Sequence, residues 1–73
     1  MALKVQPIIE EGIVEETLKG LLFRVRLIKN QKQVLAHLAG KMKLNRIRVI
    51  AGDRVLVEMP SLDEKRGRII KRL

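Results

Sequence analysis

The sequence predicts an all-β domain: five short strands closed into a small barrel, with a brief helix between the third and the fourth. Three observations carry this. Residues 21–28 and 54–59 alternate apolar and polar side chains, the period of two that marks a strand buried on one face. Residues 39–46 break that alternation with a glycine and a run of good helix formers, "GKMKL". Five strands drawn from 73 residues would leave a small open sheet with two exposed edges, which closure into a barrel removes.

Residues 8–17, "IIEEGIVEET", are rich in β-branched side chains and predict the first strand, with Gly12 marking a bulge or bend inside it. "LKG" at 18–20 is a turn. Residues 21–28, "LLFRVRLI", form the second strand, with Phe23, Val25 and Leu27 on its buried face and Leu22, Arg24, Arg26 and Ile28 on the other. "KNQK" at 29–32 is a polar turn in which Asn30 tolerates the positive φ that hairpins often need. "QVLAHL" at 33–38 is the third strand. The segment after Gly40 is too short for an independent helix, so it predicts one or two helical turns docked through Met42 and Leu44. "AGDR" at 51–54 is a turn, with Asp53 accepting hydrogen bonds from nearby backbone amides. "RVLVEM" at 54–59 is the fourth strand, its core face Val55, Val57 and Met59, and Pro60 ends it. "SLDEKR" is a loop and "GRIIKR" at 67–72 the last strand. A closed barrel with a helix between strands three and four is the arrangement of the OB-fold, which takes single-stranded or irregular nucleic acid on one face and its adjoining loops.

Residues 1–73 are expected to make one domain, loose over the first six residues. A chain this short buries only about 60% of the surface its unfolded form exposes. Its core must come from Ile, Val, Leu and Met, because Phe23 is the only aromatic. With no Cys and a single His, neither a disulfide nor a structural metal site is expected, and no cofactor. No apolar run approaches the roughly 20 residues of a membrane span, and the first residues lack the features of a signal peptide. The expectation is a soluble cytoplasmic monomer with no membrane partner.

The formal net charge is +8, and its distribution says more than its size. Glu10, Glu11, Glu15 and Glu16 gather in the first twenty residues, while Leu21 to Arg48 carries eight cations and no acid. A solubilising surface mixes signs; a segregated basic one is the footprint of a polyanion partner. The first candidates for RNA contact are Lys41, Lys43, Arg46 and Arg48. Lys41 and Lys43 are two apart and flank Met42 rather than sharing a helical face. Lys43 acts as a point charge, while the two arginines fork onto a phosphate or stack on a base. Met42 itself is a candidate wedge between bases as well as a docking residue. Arg24 and Arg26 share one strand face, where they reach RNA or pair with Glu15 and Glu16 across the sheet; Arg24 is retained as a contact. Arg66, Arg68, Lys71 and Arg72 cluster on or near the last strand, with Arg68 and Arg72 two alternations apart and so pointing the same way; Arg66, Arg68 and Arg72 are retained as contacts. His37 has neither Cys, Ser nor clustered acid near it in sequence, and is read as structural or as an edge of the RNA surface. Gly40, Gly52 and Gly67 serve backbone geometry at strand ends. The chain has no Gly-rich phosphate loop and too few acid–base groups for an active site, so it is not read as an enzyme.

Over Ile9 to Arg72 the sequence resembles bacterial translation initiation factor one. The resemblance rests on "LFRVRL" at 22–27, "LAHLAGKM" at 35–42, "NRIRVIAGDRV" at 45–55 and "RGRII" at 66–70, in that order and spacing. It implies a five-stranded OB barrel of S1-like type without catalytic activity. It implies binding to ribosomal RNA at the decoding (A) site of the small ribosomal subunit, where the factor blocks premature tRNA entry and cooperates with the other two initiation factors. It also implies a bacterial cytoplasm or a plastid stroma, and an RNA surface that includes the cations after Gly40 and the last strand. The chain departs from the pattern in places. "KNQKQ" is one residue longer than usual and lacks the common Asn-Gly turn. Leu44 stands where members carry a basic residue, and Arg46 and Leu62 stand where they carry aromatics. The grip is therefore expected to be more electrostatic and less aromatic. Two other readings are a general single-strand RNA binder of cold-shock type, which needs surface aromatics, and a small basic ribosomal protein held permanently in place.

Overall fold

The computed structural model describes residues 7–61 and 63–73. Its elements are β1 (Ile8–Leu18), β2 (Leu22–Leu27), β3 (Gln33–Leu38), α1 (Gly40–Leu44), β4 (Arg54–Met59) and β5 (Arg66–Arg72). The strands close into a barrel in the order β1-β2-β3-β5-β4, with β4 returning to pair with β1. Among the described strand pairs only β3 and β5 run parallel, and α1 and β4 together form the crossover between them. The element order is the one read from the sequence. The expected looseness of residues 1–6 and the site of Leu62 lie outside the described residues.

The alternation in β2 and β4 survives as burial. Val25, Leu27, Val55, Val57 and Met59 are fully enclosed, with Ile69 of β5 among them. Register brings them together, Val14 and Val34 flanking Val25 on its two neighbouring strands, and Val57 opposite Ile69. Each such side chain contributes about 1.5–3 kcal/mol over its exposed state. Phe23 is also in this core, 4% exposed. β2 starts one residue later than expected because Leu21 is left-handed (φ 58°), as is Gly20 before it (φ 78°), and neither can continue a strand.

Two irregularities decide which side chains face outward. In β1 the register slips between Val14 and Glu16, so the bulge lies at Glu15 and not at Gly12 as the sequence suggests. Gly12 has another reason to be glycine: a Cβ there would lie 2.5 Å from Val25 Cγ1 and 2.9 Å from the Arg26 carbonyl oxygen. This is where β1 passes from pairing with β4 to pairing with β2, because Gly12 sits opposite both Val55 and Leu27. The bulge further along the strand puts Glu15 and Glu16 on the same outer face, since an extra residue resets the alternation.

In β5 the register slips between the partners of Leu56 and Val57, leaving Ile70 as the extra residue. Ile70 packs against the core edge beside Ile69. Beyond it the phase inverts: Lys71 stands opposite Leu56 of the outer face, and Arg72, itself exposed, opposite core-facing Val55. The expectation that Arg68 and Arg72 point the same way is therefore wrong, because simple parity counting does not survive a bulge.

The β2–β3 loop also differs in detail. The positive φ belongs to Gln31 (60°) rather than Asn30. The Asn30 Oδ1 instead accepts the Lys32 backbone N–H at 3.0 Å, an Asx turn.

Candidate nucleic-acid interface

The site is built on α1 and its exit. Ala39 precedes the helix in an extended conformation without a side-chain cap, so the first turn is held by packing rather than by capping. Met42 supplies that packing: it is 2% exposed and belongs to the core cluster. Two positions further on, a side chain lies roughly 200° around the helix axis, so Leu44 cannot dock as well. It is 85% exposed, against the expectation that it would share the docking with Met42. Met42, retained as a wedge between bases, is equally displaced from that role by its burial.

The helix ends in a Schellman closure. The Ile47 N–H donates to the Met42 carbonyl at 3.0 Å and the Arg46 N–H to the Lys43 carbonyl at 3.1 Å, the two bonds that define the motif. The position between cap and closure usually belongs to glycine, and here Arg46 occupies it with φ 52°. Ile47 then packs against the core, completing the apolar contact that accompanies the motif. Downstream, the Asp53 Oδ2 accepts the Ile50 N–H at 2.9 Å, as its turn position suggests, and Gly52 supplies the positive φ (96°) the turn requires.

Lys41, Lys43, Arg46 and Arg48 stand exposed along this short knob. None of them makes an ion pair among the described residues. Six carboxylates pair with cations elsewhere. Glu16 holds Arg24 at 3.0 Å, Glu15 holds Arg26 at 2.8 Å and Glu11 holds Arg54 at 3.0 Å. Glu58 binds Arg68, and Glu10 and Asp63 sit near Lys29 and Lys32. Arg24, Arg26, Arg54 and Arg68 on the barrel wall are thus offset locally by carboxylates, while the four cations of the knob are not. Glu15 is the most tightly engaged acid. The Arg26 guanidinium first, then the Gln33 amide, hold its carboxyl below its ordinary value of 4.5.

The other sequence candidates separate along these lines. Arg24 and Arg68 are paired on the wall; such exposed pairs are worth little and can exchange for phosphate, but they are not free charges. Arg66 is exposed and makes no ion pair among the described residues. It borders a shallow groove with Leu22, Leu35, His37 and Arg68. His37 stands exposed on the outer face between Leu22 of β2 and Arg68 of β5. Arg72 is a strut: its Nη1 donates to the Arg48 carbonyl oxygen at 2.9 Å, tying the knob's exit to the end of β5. Gly67 is required by packing, since a Cβ there would meet Val57 Cγ1 at 2.6 Å, while a Cβ at Gly40 meets nothing.

Parity reasoning also favoured Arg68 and Arg72 over Lys71 of the same basic cluster. Lys71 borders the surface beside Lys41 and Asn45, because the bulge at Ile70 turns it outward. The only hint in the sequence is the adjacent apolar pair Ile69-Ile70, which breaks strict alternation.

A closed five-stranded barrel with an acid-free basic helix between β3 and β4 narrows the comparison with known proteins. A family model described as translation initiation factor 1A / IF-1 matches residues 3–73. The chain belongs to this family. It is similar to the solution structure of translation initiation factor one from the Wolbachia endosymbiont (strain TRS) of Brugia malayi. The two share 45% sequence identity with a TM-score of 0.75, over 92% of this chain and 78% of that one. It is also similar to part of YjeQ from Thermotoga maritima, at 26% identity and a TM-score of 0.73, covering 90% of this chain but 23% of that one. The same barrel thus recurs within a longer protein. The chain is a translation initiation factor of the bacterial factor-one type, and its family is one of translation factors rather than catalysts.

Proposed function

We propose that this factor binds the small ribosomal subunit at the decoding site, with the knob of Lys41, Lys43, Arg46 and Arg48 against ribosomal RNA. It blocks premature tRNA entry there by occupancy and acts with the other initiation factors. The observation that carries this reading is the uncompensated charge of the knob: four exposed cations close together in the chain, none in an ion pair among the described residues. Phosphate is the ligand such an array fits, and it positions a protein on RNA without reading sequence. Lys71 adds to the array, and Arg24, Arg66 and Arg68 extend it along the barrel wall with His37 at its edge. A cold-shock type of binding fits less well, because stacking platforms need exposed aromatics and Phe23 is buried. On this reading the factor works in a bacterial cytoplasm, or in a plastid stroma.

The test is binding to purified bacterial small subunits across a salt series, with the A site empty or filled. Affinity is expected to fall steeply with salt, because several phosphates are neutralised, and to be lost when the A site is filled. Undiminished binding to filled subunits overturns the site. Persistence through high-salt washing favours a ribosomal protein instead.

A further inference from the structure

We infer that Leu44 is an apolar probe that enters the RNA surface beside the phosphates held by the knob, packing on a nucleobase face or ribose edge. The inference deepens the proposed function and rests on it. Leu44 ends α1 and is the most exposed of the large apolar side chains among the described residues, at 85%. A single exposed leucine is ordinary on a protein surface. Three features set this one apart.

The first is its surroundings. Lys43, Asn45 and Arg46 adjoin it in the chain and are all exposed, and Lys41 stands one turn back. These cations carry no ion pair among the described residues. The second is rigidity. Met42 anchors one side of the helix in the core, and the bonds from Ile47 and Arg46 to the Met42 and Lys43 carbonyls lock its end. The Leu44 side chain is therefore held in solvent on a fixed backbone. The third is complementarity. A ring of cations around an apolar tip fits a surface that offers anions at the rim and apolar faces between them. RNA offers both, in its phosphates and in the faces of unstacked bases and the ribose carbons. Apolar wedges set among cations are an established means of entering nucleic acid.

The signature is a loss of affinity that salt does not alter. Leu44→Ala removes no charge, so the plot of log affinity against log salt for purified small subunits keeps its slope. The whole line drops about tenfold. Leu44→Lys restores affinity at low salt but steepens the slope by about 0.7–0.9. A Leu44→Ala line that coincides with the parent's overturns the inference while leaving the proposed function intact; failure of the parent itself to bind overturns the function. Photo-leucine introduced at position 44 identifies the occupant on the same subunits. Cross-links to ribosomal RNA support the inference. Cross-links to ribosomal protein alone, or none above background, overturn it.

Discussion

Arg46→Gly is expected to stabilise the protein while weakening its grip on RNA. Arg46 holds φ 52° at the helix-terminal position where glycine is the usual residue. A side chain with a Cβ incurs about 1–2 kcal/mol in the left-handed region. Glycine avoids that strain but adds about 0.4–1 kcal/mol of unfolded-chain entropy. The balance favours the variant by about 0.5–1 kcal/mol, which for a domain of this length raises Tm by about 2–8 °C. The same change removes one cation from the knob and lowers the salt slope of binding by about 0.7–0.9. Thermal melts monitored by circular dichroism and a salt series with small subunits read the two effects separately. Arg46→Ala is the control: it loses the charge but keeps the strain, so its affinity falls without a gain in Tm. A glycine variant that melts no higher than the parent refutes the argument from backbone strain. Unchanged affinity and slope in both variants refute the role of the Arg46 charge. A cost retained at a proposed binding position, where the chain could shed it with one substitution, is the pattern expected of strain kept for function.

Two further predictions follow from the barrel itself. Gly12→Ala forces a Cβ to within 2.5 Å of Val25 Cγ1 and 2.9 Å of the Arg26 carbonyl oxygen; it is expected to cost about 1–3 kcal/mol, read as a lowered urea midpoint, and a midpoint within error of the parent's contradicts the close approach of β1 and β2. Glu15 binds its proton less readily when folded than when unfolded, because Arg26 and Gln33 hold its carboxylate. Its contribution to stability is present at neutral pH and is lost as pH falls below about 4.5 through the lowered folded value. Parent and Glu15→Gln melts should therefore differ at pH about 7 and converge in acid; a gap that stays constant with pH refutes the linkage.

Much of this protein can be read directly from its residues. Alternation in "FRVRL" and "RVLVEM" dictates strands, because the side-chain period of a strand is two and one face must leave water. Ala39-Gly40 and Pro60 mark where strands stop, and the acid-free run from Leu21 to Arg48 marks the basic segment proposed to meet a polyanion, since charge is legible without coordinates. What the sequence could not decide is which cations are free and which side of a strand each faces. Glu15 and Glu16 become partners for Arg26 and Arg24 only because a bulge puts both on the outer face. Lys71 joins the knob and Arg72 becomes its strut only because Ile70 is an extra residue in β5. Within α1, Met42 and Leu44 are both apolar helix formers, and composition does not rank them. Docking on the barrel buries one, and the helical rotation between them then turns the other toward solvent. Local pattern determined the strands and the sign of the surface. The pairing register and the docking of one short helix, which depend on contacts between residues far apart in the chain, decided where that charge is available.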